Sequence, residues 1–383
     1  MKIKEKYFVV ANTISKWKID NAFERKLSYL ADNSEFWKSL YVLFYKIASY
    51  KYYAKGVELA NVQIDKQWEM VDPIVKGCLT KKALIRDMIY SLHRFGASFE
   101  DYFVYKFYER NPAGRMCFNN LKRQYGYCQL VNHTDTRELF EDKGALYQKL
   151  KPYYKRDLVV VYNDAQKDEF VEFVKKHTSF IYKPLKGHSG QGITIYRDCK
   201  SGISIYDKLI SHGAFVVEEL IEQAEEMARI HEESINTVRI VTFKIKDDVH
   251  VVGGALRMGV GSSVVDNAGA GGIYASIDIE HGFVNSIAGD NLNHHYSIHP
   301  TSNCKIVGFE LPRWNEALTM VCKMAKHVGG ATVIAWDLAY SKKGWLVIEG
   351  NDVGDQHLLQ APLQVGVQST YYKLLDLYFQ TSK

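Results

Sequence analysis

The sequence predicts an α+β fold preceded by a mainly helical N-terminal region. Three observations carry that prediction. Residues 1–130 place apolar side chains three and four positions apart, the spacing of one helix face. From about residue 156, short β-branched runs alternate with short amphipathic segments. Beyond residue 234, long runs of alternating character come in pairs joined by tight polar turns.

In the first region, "FWKSLYVLFYKIASYKYYAKG" (Phe36–Gly56) reads as an aromatic helix punctuated by lysines. "KKALIRDMIYSLHRFG" reads as a helix that Gly96 stops. "SFEDYFVYKFYERN" reads as a helix capped by Ser98, with Asp101 three residues on, and ended before Pro112. "DLVVVYN" is then a strand and "DAQKDEFVEFVKKH" a helix. "FIYKP" and "GITIYRD" form a hairpin-like pair, "ISIYDKLISHG" a helix and "AFVVEEL" a strand. "INTVRIVTFKIKDDVHVVGGALRMG" gives two long strands around a Lys-Asp-Asp turn. "WNEALTMVCKMAKHVGG" is an amphipathic helix, "TVIAWDLAYSKKGWLVIEGND" a strand pair around "SKKG", and "STYYKLLDLYFQ" the last helix.

At 383 residues the chain can bury a large core in two or three domains. No secretory leader is legible at the N-terminus, and no apolar run reaches the length of a membrane span. The six cysteines are scattered without C-x-x-C spacing, which predicts neither a disulfide framework nor a zinc site and fits a reducing cytoplasm. Charge is uneven: residues 1–55 carry eleven Lys/Arg against five Asp/Glu, or +6, and the rest sums to −1. Two readings of this basic segment follow. Its apolar stripe packs on the body of the protein, or residues 1–55 make a peripheral contact with an anionic membrane, placing the protein at the inner face of the membrane. No aromatic-basic array predicts nucleic-acid binding. "NHHYSIH" (His294, His295, His299) lies in a Ser/Asn-rich loop without a cysteine, so a zinc reading is rejected.

Two places carry chemistry. In "FIYKPLKGHSGQGITIY" (Phe180–Tyr196), two lysines, three glycines and a serine crowd between two strands, with no apolar residue from Lys186 to Gly192. Glycine lets backbone N–H groups approach an anion, and lysine adds a mobile charge suited to phosphate. No Walker-type G-x-x-x-x-G-K-[ST] is present. In the last strand pair, Asp337 sits on one strand while Glu349 and Asn351, two residues apart, share a face of the next. Two carboxylates and a carboxamide are hard oxygen donors of the kind that hold Mg²⁺ beside phosphates.

A phosphate-gripping loop and a Mg²⁺ triplet in one chain imply a nucleoside triphosphate between them. Here the sequence resembles the ATP-grasp carboxylate–amine ligases, most closely the sugar-transfer-associated ATP-grasp family. The carrying residues are "DKGALYQKL" (Asp142–Leu150), "YKPLKGHSGQGI", "VVEELIEQ" (Val216–Gln223), "SINTVRIVT" (Ser234–Thr242), "VVDNAGAGGI" (Val264–Ile273), "AWDLAY" and "VIEGND", in that order over roughly residues 95–365.

The resemblance implies an ATP-grasp fold, two α+β subdomains gripping ATP: a small lid subdomain with its lead-in over 131–220, and a large subdomain with the metal site over 221–383. It implies that Lys143 and Lys183 contact the ATP phosphates and that the loop His188, Ser189, Gly190, Gln191, Gly192 closes over them. The strand bearing Glu218 joins the halves of the ATP site. Backbone groups of Glu219 and Ile221 read adenine, and Glu225 or Glu226 holds the ribose. Asp337, Glu349 and Asn351 fall on the metal ligands, for one or two Mg²⁺ ions with Mn²⁺ as a substitute. Arg239 and Arg257 stabilise a transferring phosphoryl group, and Asn267 stands near the reacting carboxylate. By position alone, Asp355, His357 and Gln360 are assigned to the acceptor side. The implied activity is an ATP- and Mg²⁺-dependent ligase that activates a small-molecule carboxylate and joins it to an amine or hydroxyl, sugar-linked or in cell-surface polysaccharide. The alternative is a kinase-like phosphotransferase, or a non-catalytic nucleotide-binding subunit of a polysaccharide assembly complex.

Overall fold

The computed structural model describes residues 22–185, 192–199, 201–354 and 356–381. Eight helices open it: α1 (Ala22–Asp32), α2 (Glu35–Ala48), α3 (Tyr50–Gln67), α4 (Pro73–Cys78), α5 (Lys81–Phe95), α6 (Phe99–Val104), α7 (Pro112–Met116) and α8 (Leu121–Val131). Gly96 ends α5 in the left-handed region at φ 71°, where a side chain is disfavoured. Ser98 and Asp101 form a reciprocal cap: Ser98 Oγ accepts the Asp101 N–H at 2.9 Å, and Asp101 Oδ2 accepts the Ser98 N–H at 2.8 Å. Two expectations are corrected here. The helix from Ser98 stops at Val104, because Lys106 turns left-handed at φ 50°. The aromatic segment Phe36–Gly56 is two helices, broken at Ser49.

After α9 (Thr134–Glu141) and α10 (Lys143–Tyr154) comes a four-stranded antiparallel sheet of β1 (Leu158–Val161), β2 (Phe180–Pro184), β3 (Thr194–Tyr196) and β4 (Phe215–Glu219), in the order β1-β4-β2-β3. Helices α11 (Lys167–Lys176) and α12 (Gly202–Ile210) bury Phe170, Phe173 and Tyr206 against it.

The larger sheet has eight strands. Its order is β10 (His295–Tyr296), β9 (Ala288–Gly289), β7 (Ile273–Asp278), β6 (Asp248–Met258), β5 (Thr237–Ile245), β11 (Val333–Ser341), β12 (Gly344–Asn351), with β8 (Phe283–Val284) on β7. Both long hairpins form where the sequence placed them, with Ile245 opposite Asp248 and Ser341 opposite Gly344. Strand alternation gives this sheet two different faces. Val238, Ile240 and Leu256 pack with α14 (Trp314–Val328) in one core. Val241, Phe243 and Ala255 turn to the other face, which the helical region and α16 (Gln368–Thr381) cover. Arg239, Arg257 and Asp337 alternate onto that second face. A polar latch fixes the cover: buried Arg123 donates to Gln368 Oε1 at 3.1 Å, and Gln368 donates to Tyr127 Oη at 2.7 Å.

Candidate active site

The register of the large sheet assembles the acidic and basic groups. Asp337 lies opposite Glu349 on one side and Arg239 on the other. Arg257 lies opposite Thr237, one alternation along. A bulge in the β11–β12 pairing falls between Asp337 and Leu338, and such bulges re-aim side chains. Glu349 and Asn351 do share a face: the Asn351 carboxamide donates to Glu349 Oε1 at 3.4 Å.

Asp337 is 3% exposed and held by both arginines. Arg239 donates from Nε to Oδ1 and from Nη2 to Oδ2, each at 2.7 Å, and Arg257 Nη1 donates to Oδ2 at 2.8 Å. Burial alone pushes this carboxyl up, but the two guanidiniums outweigh it and hold the group at about 2. Glu349 goes the other way. Burial and the neighbouring Asp337 charge raise it, against the pull of Arg239 and Lys183. Arg257 is fixed from behind by Asp266, whose Oδ1 accepts from Nη2 at 3.1 Å while its Oδ2 accepts the Thr237 N–H at 2.9 Å.

The small sheet supplies the other half. Lys183, next to last in β2, lies beside β4 and pairs with buried Glu218 at 2.7 Å. Arg156 donates to the other Glu218 oxygen from Nε at 2.9 Å and Nη2 at 2.6 Å, and its Nη1 reaches the Val347 carbonyl of β12 at 2.7 Å. Burial raises Glu218, but Arg156 and Lys183 bring it down to about 2. Lys143, at the start of α10, donates to the Leu185 carbonyl at 3.2 Å. Burial lowers it, and the charges of Glu349, Lys183 and Glu218 all act on it, so the two lysines and Glu349 form one electrostatic neighbourhood.

Other predicted residues fall less evenly. His188, Ser189, Gly190 and Gln191 lie outside the described residues, as does Asp355. Gly192 is described at φ 75°, with Pro184 so close that a Cβ would meet its ring at 2.8 Å. Glu219 engages its side chain elsewhere, with Lys343 at 2.9 Å and the Asp157 N–H at 3.0 Å, and its own N–H bonds the Asp157 carbonyl. Ile221 follows half-buried. Glu225 and Glu226 are both exposed in the first turn of α13 (Glu225–Ala228), so the geometry does not choose between them. Asn267 caps its own turn, Oδ1 accepting the Gly269 N–H at 3.0 Å. His357 opens α15 (His357–Gln360), with its ring 5.2 Å from that of Tyr274, the cross-strand neighbour of Arg257. Gln360 is different. It is fully buried, donating to Tyr105 Oη at 3.0 Å and accepting the Asn119 N–H at 2.8 Å, so it anchors the helical region rather than lining an acceptor space.

Sequence reasoning missed Arg156 and Asp266. Asp266 sits inside a motif that was noticed for its asparagine and glycines. Arg156 had no signal, since its partner is 62 residues away.

The donor set fits a hard divalent cation. A carboxylate has about four acceptor positions, and Asp337 spends three on arginine. Glu349 is bonded directly by no cation among the described residues, which leaves its oxygens open to a metal.

A family model described as sugar-transfer associated ATP-grasp matches residues 122–372. No curated protein matches the sequence. Among solved structures, the ATP-grasp ligase PsnB complexed with minimal precursor is similar at 13% identity and TM-score 0.41, over 66% of this chain and 63% of that one. The D-alanine–D-alanine ligase from Bacillus anthracis is similar at 16% identity and TM-score 0.37, over 64% of this chain and 67% of that one. A further PsnB structure, with minimal precursor, Mg and ADP, is similar at 13% identity and TM-score 0.40, over 68% of this chain and 67% of that one. The chain thus spans less than two thirds of the first of these.

Proposed function

The chain belongs to the sugar-transfer associated ATP-grasp family, and from that premise we propose that it is an ATP-dependent ligase. It activates a small-molecule carboxylate as an acyl phosphate and passes the acyl group to an amine or hydroxyl. The observation that carries this reading is that Lys143 and Lys183 of one half share an electrostatic neighbourhood with Glu349 of the other, and Glu349 lies opposite the Asp337 that Arg239 and Arg257 hold.

In this reading ATP lies between the sheets. Lys143 and Lys183 bind its phosphates, with Lys183 exchanging Glu218 for a phosphate oxygen. The backbone at the end of β4 and just beyond, at Glu219 and Ile221, reads adenine, and the loop at 188–192 excludes water. Asp337, Glu349 and Asn351 would hold Mg²⁺, which would supply charge neutralisation at the phosphates. The substrate carboxylate attacks the γ-phosphorus, the bond to the β-phosphate oxygen breaks, and ADP leaves. Arg257 carries five N–H donors, of which Asp337 and Asp266 engage two. Among the described residues the others have no side-chain acceptor, and in this reading they meet the charge on the transferring phosphoryl. The acceptor amine or hydroxyl then attacks the acyl carbon, loses its proton and displaces phosphate. Sugar-linked acceptors fit the family's description, and a cytoplasmic setting supplies the ATP.

The test is an ADP-release screen of amino acids against uronic acids and amino sugars, with mass spectrometry of products. Carboxylate-dependent ADP release is expected, with a product mass equal to carboxylate plus acceptor less water. ADP release with a phosphorylated hydroxyl product would instead identify a phosphotransferase and end the ligase reading.

A further inference from the structure

Helix α2 is apolar on two sides. Its inward side is accounted for: the Tyr41 ring meets Tyr90 edge-on at 5.2 Å, Tyr45 stacks on His93 at 3.9 Å, and Val42 is buried. Its outward side faces solvent. Phe36, Leu43, Phe44 and Ile47 fall on one stripe by helical periodicity, and all four are exposed, Phe36 at 66% and Ile47 at 77%. The stripe runs into the corner where α2 breaks at Ser49 and α3 begins. Every residue from Lys46 to Tyr52 there is exposed, including Tyr50 at 66% and Tyr52 at 80%. An exposed, contiguous apolar patch of this kind marks an interaction surface.

Its charge states what covers it. From Phe36 to Val57 the chain has four lysines and no acidic residue. Lys38 turns inward to Asp87 at 3.1 Å, and Lys55 pairs with Glu58 at 2.8 Å. Lys46, 5.7 Å over the Tyr53 ring, and Lys51 remain at the corner beside the aromatic and aliphatic residues. Apolar side chains flanked by lysine, with tyrosines whose rings are apolar and whose hydroxyls are polar, match the headgroup level of an anionic bilayer. A protein partner needs acceptors matched to individual donors, whereas lipid phosphates need only positive charge. No helix among the described residues is long and apolar enough to cross a membrane, so the contact is peripheral.

We propose that the α2–α3 corner, with Phe36, Leu43, Ile47, Tyr50 and Tyr52 inserted and Lys46 and Lys51 on the phosphates, docks the protein on an anionic membrane surface. This narrows the basic segment 1–55 to one corner and does not rest on the ligase reading.

The full chain is floated with vesicles of phosphatidylcholine mixed with phosphatidylglycerol, and with phosphatidylcholine alone. Co-flotation is expected with the anionic vesicles at low salt and is lost at high salt, where surface charge is screened. Two exposed-surface double variants follow, Leu43→Ser with Ile47→Ser, and Lys46→Glu with Lys51→Glu. Since each basic residue near an anionic surface is worth roughly fivefold in partitioning, each double variant should bind at least about tenfold more weakly, with an unchanged melting temperature. The proposal is overturned if the wild type does not float with anionic vesicles, if it floats equally with neutral ones, or if both variants float as the wild type does. It is equally overturned if light scattering shows a wild-type dimer that the Leu43→Ser/Ile47→Ser variant dissolves while vesicles leave the protein behind, which would assign the face to a second copy.

Discussion

Each sheet buries one carboxylate between two cations, and the two clusters differ in what kind of cation they use. On the small sheet, Glu218 is held by Arg156 and by Lys183. On the large sheet, Asp337 is held by two arginines, one of them with a bond to each oxygen. Both carboxyls are drawn down to about 2. The planar guanidinium fixes geometry, and the lysine ammonium is a point charge on a flexible stem. The Asp337 cluster is therefore built to stay, while the Glu218 cluster has one member able to leave for another anion. Arg156 secures that asymmetry, since it also ties Glu218 to the β12 backbone.

The largest effect that would break this comparison is loss of the fixed geometry. Arg239→Leu leaves Asp337 buried with Arg257 alone. Removing one partner of a buried pair costs about 3–5 kcal/mol, and the lower end is expected because Arg257 remains. Urea unfolding measures it, and a loss under about 1 kcal/mol would show that Asp337 is not dependent on its arginines.

Next is Glu349→Gln, which keeps the shape and deletes the charge. ADP release should fall at least about a hundredfold, as for loss of a group tuning a metal site. The melting temperature without nucleotide should hold or rise, because two facing carboxylates repel. Wild-type turnover with unchanged Mg²⁺ dependence would remove the metal assignment.

Smaller is Lys183→Ala. It should weaken ATP binding by about 1.5–3 kcal/mol, the range for hydrogen bonds to charged groups. Stability should change less than with Arg239→Leu, because Arg156 still neutralises Glu218. Calorimetry reads the first and urea the second. Equal losses of stability in the two variants would erase the distinction between a fixed and an exchangeable cation.

The smallest effect is in the pH dependence of stability. Glu218 and Asp337 bind protons less readily folded than unfolded, so their contribution is present above their ordinary values of 4.5 and 3.8 and is lost as pH falls toward about 2. Glu349 is shifted up, so the folded state holds its proton longer and stability falls as pH rises above 4.5. Glu349→Gln should flatten that upper limb by at most about 1.4 kcal/mol per pH unit and leave the acid limb intact. Denaturation curves across pH decide it, and an unaltered upper limb would place the raised proton affinity elsewhere.

What local physics controls was legible in the chain alone. Alternation put Glu349 and Asn351 on one face, Gly96 and Ser98 punctuated the helices, and two-residue turns fixed both long hairpins. Even there, local signals were incomplete. No residue type announces the break at Ser49 or the left-handed Lys106. The order of motifs placed Lys143, Lys183, Arg239, Arg257 and Asp337 as candidates, but only tertiary structure decided their pairing. Arg239 meets Asp337 across 98 residues, Arg257 across 80, and Arg156 meets Glu218 across 62. Gln360, read as open to an acceptor, is a buried anchor for the same reason. Register and turn chemistry act between neighbours in the chain, so sequence spacing exposes them. A buried charge takes whichever opposite charge the sheet order brings alongside, and that order is settled by the packing of the whole chain.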